Sequence, residues 1–281
     1  LTLHAFHKTD VSTLSEWATT LDLPSDEATF FNFLACHDGI GMLPVKNILS
    51  LEDLSELAAH TQSFGGHVSY KSNEDGSQSP YELNINYLDA LSDPDEVKKG
   101  IDHLDELNIN YLDALSNPDS PEKNTELTAK RFLASQSIML SLRGVPGIYF
   151  HSLFGSKNWT EGVEQTGRHR TINREKVQRS QIEAELDNPN SLRHHVFTGY
   201  KKLLKARMSN PAFHPYGAQK ILTVHPSVFA LIRTSLDKKT QALCLQNVSG
   251  KSQEIRTKID TFSKLSTLAE IITNREFTII N

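Results

Sequence analysis

A histidine and an aspartate stand side by side at the end of an apolar run, in Phe31–Gly41, FNFLACHDGIG. The run Phe30–Cys36, FFNFLAC, is short, mostly apolar and bounded by polar residues. It reads as a strand buried on both faces, of the kind found in parallel sheets. Such a strand delivers His37 and Asp38 at its C-terminal end, and in α/β barrels the residues at that end line the active site. A carboxylate there can work on positive charge. The same residues admit a second reading, in which Asp38-Gly39 merely starts a turn and His37 is a satisfied edge histidine. Residue types and spacing leave the two side by side. Metal and disulfide chemistry find no support. Cys36 and Cys244 make no disulfide framework, and neither lies among residues at metal-ligand spacing. Core thiols in a reducing, cytoplasmic compartment are the expectation, with no metal and no organic cofactor.

The elements that must hold these residues can be read from periodicity. A helix is expected over 11–21, with Thr13 and Glu16 spaced as a capping box, Leu14, Trp17, Ala18 and Leu21 on one face, and Pro24 ending it. A second is expected over 51–59, capped by Ser50. Residues 61–80 are rich in Gly, Ser and Asn and read as loop. A long helix is expected over 121–142, with Ser120 as cap, Pro121 in the first position and Gly144 just past the end. Residues 144–150, GVPGIYF, follow as another buried strand, which makes the αβ half of an alternating fold. A last helix is expected over 191–209. Beyond Pro215 the texture changes to short β-prone runs at 221–224, 228–233, 241–248, 253–259 and 277–280, a small antiparallel module.

A near-exact repeat interrupts this order. Glu82–Asp95 reads ELNINYLDALSDPD and Glu106–Asp119 reads ELNINYLDALSNPD, a period of 106 − 82 = 24 residues, with only Asp93 and Asn117 differing. Solenoids need about three units or more, so two copies point to a local duplication in which one copy fills the structural slot. Composition sets the outer bounds. The 281 residues carry 29 Lys and Arg against 34 Asp and Glu, a net charge of −5, with 38% hydrophobic residues. That is a globular composition, and the negative balance argues against nucleic acid or an anionic membrane as partner. No apolar run is long enough for a transmembrane helix and no signal peptide is visible. Leu1 in place of Met points to a fragment or a processed start.

Five motifs, in order, resemble the alpha-amylase clan of glycoside hydrolases, and in particular the sucrose phosphorylase subfamily. The run HDGIG at 37–41 resembles its fourth conserved region. Residues 1–10, LTLHAFHKTD, look like the strand and turn before a helix, and 79–91, SPYELNINYLDAL, are similar to its variable acceptor-side loop. Residues 131–154 resemble the last barrel helix and strand, and 167–174, GRHRTINR, the Gly-Arg and Ile-Asn-Arg signature after it. The resemblance is nearest to the branch with glucosylglycerate, glucosylglycerol and sucrose-phosphate phosphorylases.

The resemblance implies an α/β protein, the C-terminal portion of a (β/α)8 barrel with an inserted subdomain, followed by a small antiparallel β domain. It divides the chain into residues 1–43, late barrel strands; 44–120, the insertion and acceptor loop; 121–216, the last barrel helix, strand and terminal helix; and 217–281, the β domain. By the same resemblance Asp38 stabilises an oxocarbenium-like transition state, His37 and Arg174 bind the donor glucose, and Arg170, Tyr81 and Glu82 lie on the acceptor side. Glu82 stands where sucrose phosphorylase looks to have Gln. Arg168 and Arg170, with His169 between them, suit phosphate or an anionic acceptor, or else form a solvated basic loop. Trp159 and Glu161 are expected at the acceptor entrance. The implied partners are a sugar donor and inorganic phosphate, and the implied reaction is retaining transfer of an α-glucosyl group to phosphate. A hydrolase or transglucosidase of the same clan, and a non-catalytic sugar-binding fragment, are the alternatives. The nucleophile and acid/base sit on earlier barrel strands in the family, so the chain by itself is expected to be inactive.

Overall fold

The computed structural model describes residues 1–92, 121–255, 267–269, 272 and 276–278. The second repeat copy, the Ser120 cap and most of the run at 253–259 lie outside them; residues 253–255 form no strand.

The chain opens with two short helices, α1 (Thr2–Lys8) and α2 (Ser12–Thr19). Residues 2–8 are therefore helical, where a strand and turn were expected over 1–10. Leu3, Ala5 and Phe6 are buried, and Thr9 in the left-handed region (φ 51°) closes the helix. The Thr13–Glu16 capping box does not form. Asp10 lies just before the helix and its carboxylate accepts the Ser12 N–H at 2.7 Å, satisfying a first-turn donor instead.

Strand β1 (Phe31–Asn32) and the later β5 (Val145–Pro146) pair in parallel, Phe31 with Val145 and Asn32 with Pro146. The parallel arrangement agrees with the expectation; the extent and burial do not. Each strand has two residues, and Phe31 is 67% and Phe33 54% exposed. Among the described residues β5 is the only strand hydrogen-bonded to β1. Pro146 cannot donate to a ladder, and Gly144 (φ 115°) turns the chain into β5.

Strand β2 (Ile40–Gly41), helix α3 (Leu51–Ser63) and the hairpin β3 (His67–Ser72) and β4 (Gln78–Asn84) follow, then helix α4 (Tyr87–Ala90). Helix α3 has the expected Ser50 cap. The Ser50 hydroxyl accepts the Asp53 N–H and the Asp53 carboxylate accepts the Ser50 N–H. It runs four residues past the expected end. The hairpin replaces the loop expected over 61–80. Its strands escape a pattern search because β3 is largely polar and solvent-facing, with a bulge between Ser69 and Tyr70. The sheet order is β2-β4-β3, all antiparallel. Strand β4 and helix α4 hold the first repeat copy. Leu83, Ile85, Tyr87, Leu88, Ala90 and Leu91 are all buried, so this copy fills the slot.

Helix α5 (Pro121–Ser141) and, after the short helices α6 (Phe150–Leu153), α7 (Thr160–Thr166) and α8 (Arg179–Asp187), the long α9 (Leu192–Ser209) form the helical core. The expected last helix starts one residue later, at Leu192, and the Ser191 hydroxyl caps it by accepting the His194 N–H. Helices α5 and α9 meet closely at Gly199, where a Cβ would lie 2.1 Å from Leu133 Cδ1. Beside this contact Tyr200 donates to Gln136 Oε1 at 2.5 Å, both side chains fully buried. Strands β6 (Ala218–His225), β7 (Val228–Thr234) and β8 (Gln241–Asn247) form the expected antiparallel sheet, and a separate pair joins β9 (Thr267–Ala269) to β10 (Glu276–Thr278). At the end of α5 the fully buried Arg233 of β7 donates to the carbonyls of Ser141 and His214, and Arg207 of α9 to those of Leu140 and Gly144. Both cations sit at the negative end of the α5 dipole. Among the described residues no helix is long and apolar enough to cross a membrane.

Helix α1 bears on the repeat slot through His7, whose Nε2 lies 2.8 Å from the Ala90 carbonyl while its ring lies tilted against that of His60, centroids 3.7 Å apart. Burial first, and then His60, hold the imidazole down at about 3. An unfolded histidine titrates near 6.5, so the unfolded state binds the extra proton between those values. This contribution to stability is complete above pH 6.5 and is lost as the pH falls towards 3. It amounts to on the order of 5 kcal/mol over the whole range, of which about 3 kcal/mol is lost by pH 4. Urea unfolding between pH 7 and 4 should show the loss, and His7→Gln, which keeps a donor for Ala90, should flatten it.

Candidate active site

The site is built on a turn and a strand. Cys36 and Gly39 exchange both backbone hydrogen bonds, each at 3.0 Å, which leaves His37 and Asp38 at the tip of a two-residue turn. Gly39 has φ 119°, and a Cβ there would stand 2.1 Å from the Leu83 carbonyl oxygen. Only glycine lets the turn lie this close against β4. Past the turn, β2 pairs with β4, placing Gly41 opposite Glu82.

A 3-10 turn over His169–Asn173 brings the cations. Ile172 and Asn173 anchor it in the core. The Ile172 carbonyl accepts from Asn86 Nδ2 at 3.0 Å and the Asn173 carbonyl from the Tyr149 hydroxyl at 2.5 Å. Arg174 leaves the end of this turn and straddles the other one. Its Nη2 donates to Asp38 Oδ1 at 2.6 Å and its Nε to the His37 carbonyl at 3.0 Å. Arg170 Nη1 lies 3.3 Å from the same Asp38 oxygen, and His37 Nε2 3.5 Å from it. Arg170 also forks onto Glu82, with Nε to Oε2 at 2.9 Å and Nη2 to Oε1 at 3.2 Å. The Glu82 hydrogen bonds, then Asp38, push the Arg170 guanidinium above its ordinary value. Tyr81, the neighbour of Glu82 on β4, is half-buried.

Five of the expected residues, His37, Asp38, Glu82, Arg170 and Arg174, are therefore assembled, and Tyr81 precedes Glu82 on β4. Asp38, Arg174, Arg170 and Glu82 form one chain of ion pairs, with the exposed His37 against Asp38. Arg168, His169, Arg170 and Arg174 line an open cleft of about 700 Å³ together with Ser69 and Thr171. His169 stacks on His67 at 4.2 Å, and burial, followed by His169, holds His67 below its ordinary value. Trp159 and Glu161 stand apart, on a second cleft with Glu175 and Arg193, and the Trp159 ring packs on Gly162. Among the described residues no group of His, Cys, Asp and Glu side chains could hold a metal.

Sequence reasoning missed Asn84 and Asn86. Asn84 has no exposure; its Nδ2 donates to the Asp38 carbonyl at 2.9 Å and to Glu82 Oε2 at 2.8 Å. Their signal was available in LNIN, two amides alternating with apolar residues in a buried stretch.

No family model matches the sequence. Over 254 residues the chain is 46% identical to a glucosylglycerate phosphorylase of Spirochaeta thermophila, covering 90% of the chain and 38% of that enzyme. The glucosylglycerate phosphorylase of Escherichia coli is 36% identical over 256 residues, 91% of the chain and 40% of the enzyme. The chain is homologous to the C-terminal part of the sucrose-phosphorylase-like enzymes. A sucrose phosphorylase of Streptococcus mutans is 24% identical over 84% of the chain and 40% of its own length. The chain thus spans about 40% of the length of the curated sucrose-phosphorylase-like relatives it matches. The fold is shared with the sucrose 6F-phosphate phosphorylase from Thermoanaerobacter thermosaccharolyticum, at TM-score 0.64 and 19% identity over 88% of the chain and 41% of that structure.

The Gly39 geometry gives a direct test. Gly39→Ala should cost about 3 kcal/mol, from the strained backbone and the clash with Leu83. Urea denaturation would measure it; a cost under 0.5 kcal/mol would mean the turn does not lie against β4 as described.

Proposed function

We propose that the chain is the part of a retaining α-glucosyl phosphorylase that steadies the glucosyl cation and receives an anionic acceptor. One observation carries the reading: Asp38, at the tip of its turn, has its carboxylate fixed by Arg174 at 2.6 Å. A carboxylate oriented before the reaction stabilises charge that develops only at the barrier. Asp38 faces the anomeric carbon, and His37 and Arg174 hold hydroxyls of the glucosyl ring. Arg170, Tyr81 and Glu82 form the acceptor side.

In the reaction the anomeric C–O bond breaks, the leaving oxygen takes a proton, and the glucosyl group passes to a protein carboxylate and then to phosphate, with retention. The nucleophile and the acid belong to the part of the relatives that this chain does not span. The described strands fit the same reading: β1 and β5 as late neighbours in a (β/α)8 barrel, residues 44–120 as an insertion, and 217–281 as the β domain.

A glucosylglycerate-like donor is favoured over sucrose. Identity is 46% to one glucosylglycerate phosphorylase and 24% to the sucrose phosphorylase. Arg168, Arg170 and Arg174 line the cleft, and Asp38 and Glu82 pair with the last two, so three guanidiniums against two carboxylates leave 3 − 2 = +1. An excess cation suits an acid or phosphate. Work on such metabolites places the protein in the cytoplasm.

Two measurements test the reading. The chain alone should bind α-D-glucose 1-phosphate, and Asp38→Ala and Arg174→Ala should each weaken binding at least tenfold. Offered glucosylglycerate or sucrose with phosphate, it should release no glucose 1-phosphate. Binding indifferent to both substitutions sinks the site; turnover by the chain sinks its incompleteness, and glucose release without phosphate marks a hydrolase instead.

A further inference from the structure

Asn84 occupies a place that neither ion pairing nor packing explains. It ends β4, opposite His67, and is fully buried. Its two amide hydrogens point at two groups that can only accept, the Asp38 carbonyl at 2.9 Å and Glu82 Oε2 at 2.8 Å. That fixes which amide atom is nitrogen, and the oxygen receives the Ser69 hydroxyl at 2.7 Å. Every polar atom of the side chain is used.

These bonds close a ring. From the Asp38 carbonyl it passes through Asn84 Nδ2 to Glu82 Oε2, from Glu82 to Arg170 Nε, and from Arg170 Nη1 back to the Asp38 carboxylate. The β2–β4 ladder joins the two backbones, but among the described residues the side-chain links between the Asp38 turn and Glu82 run through Asn84 and through Arg170, whose side chain is 43% exposed. Long exposed side chains hold geometry weakly. A buried amide with no freedom left holds it well.

We infer that Asn84 is a positioning residue that sets the spacing between the Asp38 carboxylate and the Arg170–Glu82 pair, and so between the donor and acceptor halves of the site. This rests on the glucosyl-transfer reading for its consequence, though not for its geometry. Asn84→Asp keeps the volume but sets an oxygen against two acceptors, and Asn84→Ala removes all three bonds. Ser69→Ala removes only the hydroxyl on Oδ1.

The experiment uses the whole chain labelled with ¹⁵N. Hydrogen exchange of the Arg170 Nε–H should quicken at least tenfold in both Asn84 variants and stay slow in Ser69→Ala, while the amide pattern of β6, β7 and β8 is unmoved. Both Asn84 variants should also bind α-D-glucose 1-phosphate at least tenfold more weakly than the wild-type chain. Unchanged Arg170 exchange in folded variants overturns the inference. So does global unfolding of both, because Asn84 would then hold the fold and not the site. If the wild-type chain binds no glucose 1-phosphate, the functional reading fails, and Arg170 exchange still decides whether Asn84 positions the ring.

Discussion

The contact between Arg170 and Glu82 governs the arrangement around it. The Glu82 side chain is about one-tenth exposed, and a carboxylate so far from water needs a cation and hydrogen bonds to remain there. Arg170 supplies two bonds and Asn84 a third. Once Glu82 is satisfied in this way, Arg170 has one nitrogen left within reach of Asp38. The register of β4 against β2 and β3 follows, because a slip of one residue would turn Glu82 into the apolar layer beneath.

That layer is what the first repeat copy provides. Glu82 and Asn84 alternate with Leu83 and Ile85, so one side of the segment meets the site and the other the core. Further on, Asn86 donates to the carbonyls of Lys157 and Ile172, and Asp89 accepts the Asn158 N–H at 2.5 Å. Burial raises the Asp89 carboxyl to about 6. One short stretch thus ties the Asp38 turn, the arginine turn and the loop before α7 together. Precision in the site comes from backbone carbonyls held by buried amides, with the arginines laid across them.

Legibility in the sequence followed the physics of each element. Helices α3, α5 and α9 and the sheet β6–β8 were readable because capping residues, apolar periods and turn residues mark them, as Ser50 shows for α3. Strands β1 and β5 were overdrawn: an apolar run such as FFNFLAC does not say whether neighbours cover it, and Phe31 lies open. The hairpin β3–β4 was invisible because backbone pairing, not hydrophobic pattern, holds a polar strand. At the site, chemistry-bearing types were legible and their couplings were not. His37, Asp38, Arg170 and Arg174 stood out by motif, whereas Asn84 acts through two acceptors 46 and 2 residues away, a relation spacing cannot express.

The doubled ELNINYLDALS stretch has a consequence at the level of the gene. Since Glu82–Ser92 and Glu106–Ser116 are identical, excising one whole period at either copy yields the same shortened protein except for the choice between Asp93 and Asn117. An in-frame crossover between the copies would therefore erase the duplication in a single event and still leave one ELNINYLDALS stretch to supply Glu82, Leu83, Asn84 and Ile85.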